Sequence, residues 1–418
     1  MKALFAALLQ DTSVSRIQEC FGRKQAQSFV YGLAGSQKHA VFAACYDRQP
    51  GTMVIVTHSH EALADWREDL TSLLPEVPVL ELPETDLVNF SAAAKSVELS
   101  AKRMDVLGRL MRKEPVIVLA RAAAAVQKGI SKQEFERLSL HMKIGDVLPK
   151  EQLLERLVQL GYEHAEEVES MGQFSARGGI VDVFPINALQ PIRIEFFDDE
   201  IDSLREFELA TKRSLRNIST AAILPLAETD EQGKPELFLS YLEGQGIVVF
   251  DEPMRIREQV LKIIKENPEL KKKIFNWEDI AAAAQQSNVI YTALMLQKIH
   301  SAEPETLISV VVKAMAPFQR QMDLLKAESR SWLEHKEKIL VLMGDRNKAD
   351  SLHELLARDR IPSACREDTA ELGTDFVNIM QGTLLNGFES PDETQPAKRP
   401  AMRTGSAARK IIGFLSQG

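Results

Sequence analysis

Apolar runs that suit strands alternate with runs that suit helices over residues 1–130, and this alternation constrains the fold more than any other feature. The runs SFVYGLA, TMVIVTH and PVIVLA predict strands. The runs SQKHAVFAACY, EALADWREDLTSLL and SAAAKSVELSAKRMDVLGRLMRKE predict helices, and the last two are amphipathic. Strands and helices that take turns predict an α/β fold, in which a mostly parallel sheet carries helices on its faces.

The first strand-to-helix turn, YGLAGSQKHA, partly matches the phosphate-binding loop G-x-x-x-x-G-K-[ST]. Aligning Lys38 with the motif lysine puts Gly32 at the first glycine and Gln37 at the second. Gln37 places a side chain where backbone N–H groups must approach the phosphates. His39 replaces the hydroxyl group that would ligate Mg²⁺, an ion that prefers oxygen. We interpret Gly32, Gly35 and Lys38 as a vestigial nucleotide loop.

A second vestige lies downstream, where the apolar run GIVVFDEP ends in Asp251 and Glu252. Motor ATPases hold Mg²⁺ and position water with an acidic motif of this shape. An acidic turn after a buried strand is the alternative interpretation. The two motifs in this order favour a degenerate RecA/helicase-like fold, so we expect no catalytic residue, no metal site and no cofactor bound by this chain.

Residues 131–214 change character and predict an inserted α+β domain. The helix PKEQLLERLVQLGY precedes two strand-like runs, GQFSARGGIVDVFP and QPIRIEFFDDEIDSLREFE, with tight turns. The motor-like domain is therefore predicted in two parts, residues 1–130 and 215–335. A small α/β domain is predicted at 336–390, and residues 391–418, rich in Pro, Ser, Thr and basic residues, predict a flexible linker.

The insert closely resembles part of the bacterial transcription-repair coupling factors (the Mfd family) and, more distantly, the excinuclease subunit UvrB. Its Arg, Gly-Gly, Phe-Pro and Phe-Phe-Asp-Asp residues stand in matching places, and weaker similarity runs from YGLAGS to LLNGFESP. The resemblance implies an N-terminal UvrB-like module, whose degenerate motor domain is split by an insert that binds UvrA. It implies a non-catalytic scaffold that recruits UvrA to stalled transcription complexes in transcription-coupled nucleotide excision repair.

Two departures from these relatives bear on function. UvrB grips DNA with a tyrosine-rich hairpin, whereas the corresponding stretch here, VPVLELPETDLVNFSAAAKSVE, has Phe90 as its one aromatic residue. Base stacking needs such rings, so UvrB itself and damage-specific DNA binding are disfavoured. The resemblance also implies that the chain ends before the family's polymerase-binding and translocase domains. We therefore expect contacts with RNA polymerase and DNA, and ATP and Mg²⁺ chemistry, to belong to those domains, with an ATP-dependent DNA translocase as the alternative function.

The run PIRIEFFDD suggests a partner-binding face, because alternate residues of a strand face opposite sides. The core side takes Ile192, Ile194 and Phe196, and the outer side takes Arg193, Glu195 and Phe197. Arginine and aromatic residues are favoured at binding hot spots. The resemblance carries UvrA contact onto Arg177, Arg193 and Phe197, with guanidinium groups pairing with partner carboxylates and Phe197 filling an apolar pocket. Solvated arginines and a Phe197 packed under a loop are the alternative.

Composition limits the partners. A net charge of −9 and a pI near 5.6 argue against a chain that holds DNA mainly through a basic surface. Three widely spaced cysteines predict neither a disulfide framework nor a metal knuckle. His58 and His60 lack a third metal ligand at a sensible spacing, and the acidic run 198–200 is interpreted as an exposed turn rather than a hydrolase site. No apolar run is long enough to span a membrane, and we expect a cytoplasmic monomer.

Overall fold

The structure of the chain is a computed structural model. It describes residues 1–84, 93–226, 234–311, 313–315, 321–366, 371–390 and 409–413. Phe90, the one aromatic residue of the stretch that corresponds to the UvrB hairpin, lies outside the described residues. Within the described residues, no helix is both long and apolar enough to cross a membrane.

The motor-like domain is built from two stretches of chain. The first stretch forms α1 (Lys2–Leu9), α2 (Thr12–Phe21), β1 (Gln27–Tyr31), α3 (Gly35–Arg48), β2 (Thr52–Thr57), α4 (His60–Leu73), β3 (Val79–Leu82), α5 (Ala93–Met111), β4 (Val116–Arg121), α6 (Ala122–Ala125) and α7 (Lys132–Leu138). Short polar side chains start several of these helices, as where the Ser59 hydroxyl accepts a hydrogen bond from the backbone N–H of Ala62 at the start of α4.

The chain next enters the insert and then returns to the motor-like domain. The insert forms β5 (Leu140–Lys143), α8 (Lys150–Gln159), β6 (Glu163–His164), β7 (Gln173–Arg177), β8 (Ile180–Val183), β9 (Ile192–Phe197), β10 (Glu200–Phe207), β11 (Ser214–Ile218) and β12 (Thr220–Ile223). The return stretch forms β13 (Ile247–Asp251), α9 (Pro253–Glu266), α10 (Trp277–Ala284), β14 (Asn288–Ala293) and β15 (Thr306–Ser309), with 3-10 helices at Phe238–Leu242 and Pro268–Lys272.

The motor-like sheet has seven strands in the order β15-β1-β14-β13-β2-β4-β3, and every pairing in it is parallel. All six residues of β2 and all five of β13 are buried, as expected for a sheet covered on both faces. One apolar cluster under α1–α4 fills one face, and a second under α5, α9 and α10 fills the other. The prediction of an α/β fold with a parallel sheet is confirmed.

The insert is a six-stranded sheet in the order β11-β10-β9-β8-β7-β6, antiparallel except for β6 with β7. Its apolar face packs on α8 through Leu153 and Leu157. The same core takes in Ile223 and Leu226, and β12 pairs with β5, so the insert extends beyond the boundary predicted at residue 214.

The C-terminal domain has a second mixed sheet. The domain consists of β16 (Lys313–Ala314), α11 (Met322–Glu334), β17 (Lys338–Met343), α12 (Arg346–Arg358), β18 (Ser363–Cys365), β19 (Val377–Gln381), β20 (Phe388–Ser390) and β21 (Arg409–Gly413). The predicted linker does not hold for β21, which pairs with β17 and β20. Its paired Ile411 and Ile412 are β-branched and suit a strand. The rest of residues 391–418 lies outside the described residues.

Candidate functional site

The vestigial loop is a short turn between β1 and α3, and its first glycine is needed for packing. Gly32 has φ +98°, and a Cβ atom there would collide with the carbonyl oxygen of Val310, just after β15. Gly35, with φ +49°, already begins α3. Close approach of a neighbouring strand therefore accounts for Gly32 without a phosphate.

The structure brings the two predicted vestiges together. Lys38 Nζ donates to Asp251 Oδ1 at 2.6 Å, and Trp66 Nε1 donates to Asp251 Oδ2 at 2.8 Å. The side chains of Lys38 and Asp251 are 13% and 3% exposed. Glu252 accepts the backbone N–H of Leu294 at 2.9 Å. The lysine and the carboxylate that would meet Mg²⁺ and a phosphate in a working motor are therefore bound to each other.

Residues of the C-terminal domain cover the start of α3. The backbone N–H of Asn386 donates to Ser36 Oγ at 2.9 Å, and that of Leu385 donates to Asp69 Oδ1 at 2.9 Å. The other Asp69 oxygen lies 2.6 Å from His39 Nδ1. His39, at the position of the motif hydroxyl, thus joins a buried pair that ties α3 to α4, and protein groups occupy the N-terminal end of α3.

His58 follows β2 at the same edge of the sheet. Burial lowers the pKa of His58, and the nearby Asp251 opposes this shift. Its Nδ1 atom is buried with no hydrogen-bond partner. Among the described residues, no three His, Cys, Asp or Glu side chains cluster closely enough to hold a metal ion.

The predicted partner-binding residues lie in the insert. Because β7 and β9 both pair antiparallel with β8, the β7–β8 and β9–β10 turns lie at the same end of the sheet. Gly178, with φ +56°, and Asp198, with φ +52°, form these turns. Arg177 is in register with Ile180, and Ile180 with Glu195, so the three side chains share the face opposite the core.

Phe197 and Arg177 are open to solvent. Phe197, the last residue of β9, is 74% exposed, while Ile192 and Ile194 of the same strand are buried. The predicted alternation of β9 is confirmed at these positions. The Arg177 side chain is 61% exposed and lies 3.4 Å from an exposed carboxylate oxygen of Glu167. An exposed pair of this kind holds the arginine only weakly.

Arg193 has a different environment from the one expected. Its Nε and one terminal nitrogen donate to the two Asp182 oxygens at 2.8 Å each, and its guanidinium group lies 4.9 Å from the Phe207 ring centre. The Arg193 side chain is 21% exposed, and the hydrogen bond to Asp182 raises its pKa. The expectation of a guanidinium group free to pair with partner carboxylates is therefore corrected, because Asp182 already fills the fork.

Two residues of this surface were missed by sequence reasoning. Arg205 is in register with Arg193 and donates to Glu195 at 2.6 Å. Strict alternation from the β9–β10 turn would have placed it on the core side, but the register shifts between Ile201 and Ser203. Val147 is 77% exposed and bridges to Glu200. It had no local signal, because its partner is more than fifty residues away in the chain.

Comparisons with known proteins found matches to the insert and to most of the chain. A family model described as the UvrB interaction domain matches residues 140–228. The transcription-repair-coupling factor of Bacillus subtilis (strain 168) is 26% identical over 437 residues, which cover 87% of this chain and 37% of that protein. The transcription-repair-coupling factor of Staphylococcus aureus (strain bovine RF122 / ET3-1) is 23% identical, covering 94% of this chain and 39% of that protein. The chain thus spans less than half the length of these relatives.

A solved structure of a hypothetical ATP-dependent RNA helicase from Sulfolobus tokodaii aligns with 91% of this chain. The alignment covers 82% of that solved chain, at 10% sequence identity and a TM-score of 0.27. The insert is similar to the UvrB interaction domain, and most of the chain is similar to part of the transcription-repair-coupling factors.

Proposed function

We propose that this chain is a non-catalytic scaffold that binds UvrA and recruits it to stalled transcription complexes in transcription-coupled nucleotide excision repair. The binding surface is the turn end of the insert sheet, centred on Phe197. The observation that carries the proposal is the exposure of this large aromatic side chain, 74%, at the end of a strand whose other face is core. A preformed aromatic anchor suits a binding hot spot.

The two arginines have different roles in this proposal. Arg177 is exposed and weakly paired, so it is available to a partner carboxylate. Arg193 is held by Asp182 and supports the surface from within, while the 21% of its side chain that is exposed contributes a cationic edge. We do not propose that the Arg193 guanidinium group leaves Asp182 to pair with a partner carboxylate.

We propose that this chain carries out no ATP-driven step. Lys38 and Asp251 neutralise each other at 2.6 Å, and backbone groups of residues 385 and 386 occupy polar side chains of α3 and α4. Contacts with RNA polymerase and DNA, and nucleotide hydrolysis, are proposed to belong to the parts of the relatives that the match does not cover. ATP turnover measured with and without DNA tests this, and turnover that disappears in Lys38→Ala would overturn it.

Retention of UvrA by the immobilised chain tests the partner. The wild type should retain UvrA, and Arg177→Ala and Phe197→Ala should weaken retention. Leu189→Ala is a matched control, because Leu189 is 90% exposed in the β8–β9 loop, at the opposite end of the same sheet. Failure of the wild type to retain UvrA, in a preparation that a positive control binds, would refute the proposal.

A further inference from the structure

A short loop of the insert extends the Phe197 surface. Residues 144–148 connect β5 to α8 and run alongside the β9–β10 hairpin. The N–H of Gly145 donates to the carbonyl of Ile201 at 2.9 Å, and the N–H of Leu148 donates to that of Asp199 at 2.7 Å. The loop is therefore attached to the hairpin by backbone hydrogen bonds, as an added strand would be.

This attachment places a second apolar side chain beside Phe197. Glu200 is the register partner of Phe197 on one side and of Val147 on the other. Directly paired residues point to the same face of a sheet, so Phe197 and Val147 flank Glu200, roughly 10 Å apart by two strand spacings. They are 74% and 77% exposed. Because the backbone that carries these two apolar side chains is already ordered, little conformational entropy is lost when a partner covers them.

Exposed charges lie on both sides of Phe197. Asp198, Asp199 and Glu200 are all exposed on the β9–β10 turn. Arg177 lies on the other side of Phe197, two strands away on β7, in the register row of Ile180 and Glu195. The surface therefore runs from the Arg177 guanidinium group, past Phe197, to the Glu200 carboxylate and Val147.

We infer that Val147 and the 198–200 turn belong to the partner-binding surface and fix the orientation of the partner. This inference rests on the proposed function and names the partner's chemistry. UvrA would present a cleft wide enough for two apolar side chains, with a carboxylate facing Arg177 and a Lys or Arg facing Glu200. Opposite charges on the two sides of Phe197 favour one docking direction and oppose the reverse.

Two single substitutions test the inference by titration of UvrA against the full chain. Val147→Ser should weaken binding about five- to tenfold, because it removes two methyl groups from the apolar centre. Glu200→Lys should weaken binding at least as much, and the loss should shrink at high salt because ionic screening weakens the repulsion. Leu189→Ser is the control and should bind like the wild type.

The outcomes separate the inference from the proposed function. If wild-type chain fails to bind UvrA, the proposed function fails. If Phe197→Ala weakens binding while Val147→Ser and Glu200→Lys bind like the wild type, the proposed function stands and the extended surface is refuted. Tighter binding by Glu200→Lys would refute the docking direction. Melting temperatures, and Val147→Thr as a variant that keeps the shape, show whether a loss reflects misfolding.

Discussion

Replacing Phe197 by alanine should separate binding from stability. The side chain is 74% exposed, and a phenylalanine presents about 150–250 Å² in all. About 150 Å² is therefore available for a partner to cover. At roughly 25 cal/mol per Å² this amounts to nearly 4 kcal/mol when coverage is complete and about 2 kcal/mol when it is half complete.

These values predict that Phe197→Ala weakens the affinity for UvrA roughly 30- to 700-fold, since about 1.4 kcal/mol corresponds to a factor of ten. The free energy of unfolding should change by no more than about 0.5 kcal/mol, because the side chain lies outside the insert core. Titration calorimetry with UvrA measures the first quantity, and urea unfolding measures the second.

Leu189→Ala provides the control for loss of an exposed apolar group in the same domain. It should leave both quantities unchanged, because Leu189 is 90% exposed at the far end of the sheet. The reasoning is refuted if Phe197→Ala binds UvrA as tightly as Leu189→Ala does. It is refuted equally if Phe197→Ala lowers the free energy of unfolding by more than about 1 kcal/mol, since Phe197 would then be part of the core.

Three further predictions concern pairs and charges. Arg193→Ala should lower the free energy of unfolding in urea by about 2–4 kcal/mol, because Asp182, 5% exposed, would lose both hydrogen bonds from the Arg193 guanidinium group. A loss of UvrA binding with no loss of stability would contradict this. Lys38→Met should cost about 2–4 kcal/mol by the same measurement and leave UvrA affinity unchanged, because Asp251 is buried and would keep only the bond from Trp66. Because burial lowers the pKa of His58, the unfolded chain binds a proton there more readily, so stability should fall as pH drops through the ordinary histidine pKa of about 6.5. Unfolding midpoints at pH 7.5 and 5.5 should differ less in His58→Gln, and an equal difference would count against the assignment.

Local sequence patterns were enough to predict much of the candidate site. The two-residue period of β9 was enough to predict that Ile192 and Ile194 are buried and Phe197 is exposed, because side-chain direction along a strand depends on neighbouring residues alone. The Lys38 and Asp251 motifs were predicted as two vestiges of a degenerate motor fold, and the parallel sheet brings them together at its carboxyl edge.

Other features depended on contacts between distant segments. Neither the pairing of Arg193 with Asp182 nor the covering of α3 by residues 385 and 386 follows from a motif, because each joins residues whose closeness depends on strand register or domain packing. The strand β21 was predicted as linker for the same reason, since its pairing with β17 crosses some seventy residues.

The sequence by itself determined that the chain is an α/β molecule whose first domain is split by an insert, and that an aromatic side chain faces outward from that insert. Periodicity and motif order encode these features within short stretches. Tertiary structure alone decided which charges neutralise each other and which remain for a partner. A guanidinium group is free or occupied according to what the register of neighbouring strands places beside it, and that register is set by the packing of the whole sheet.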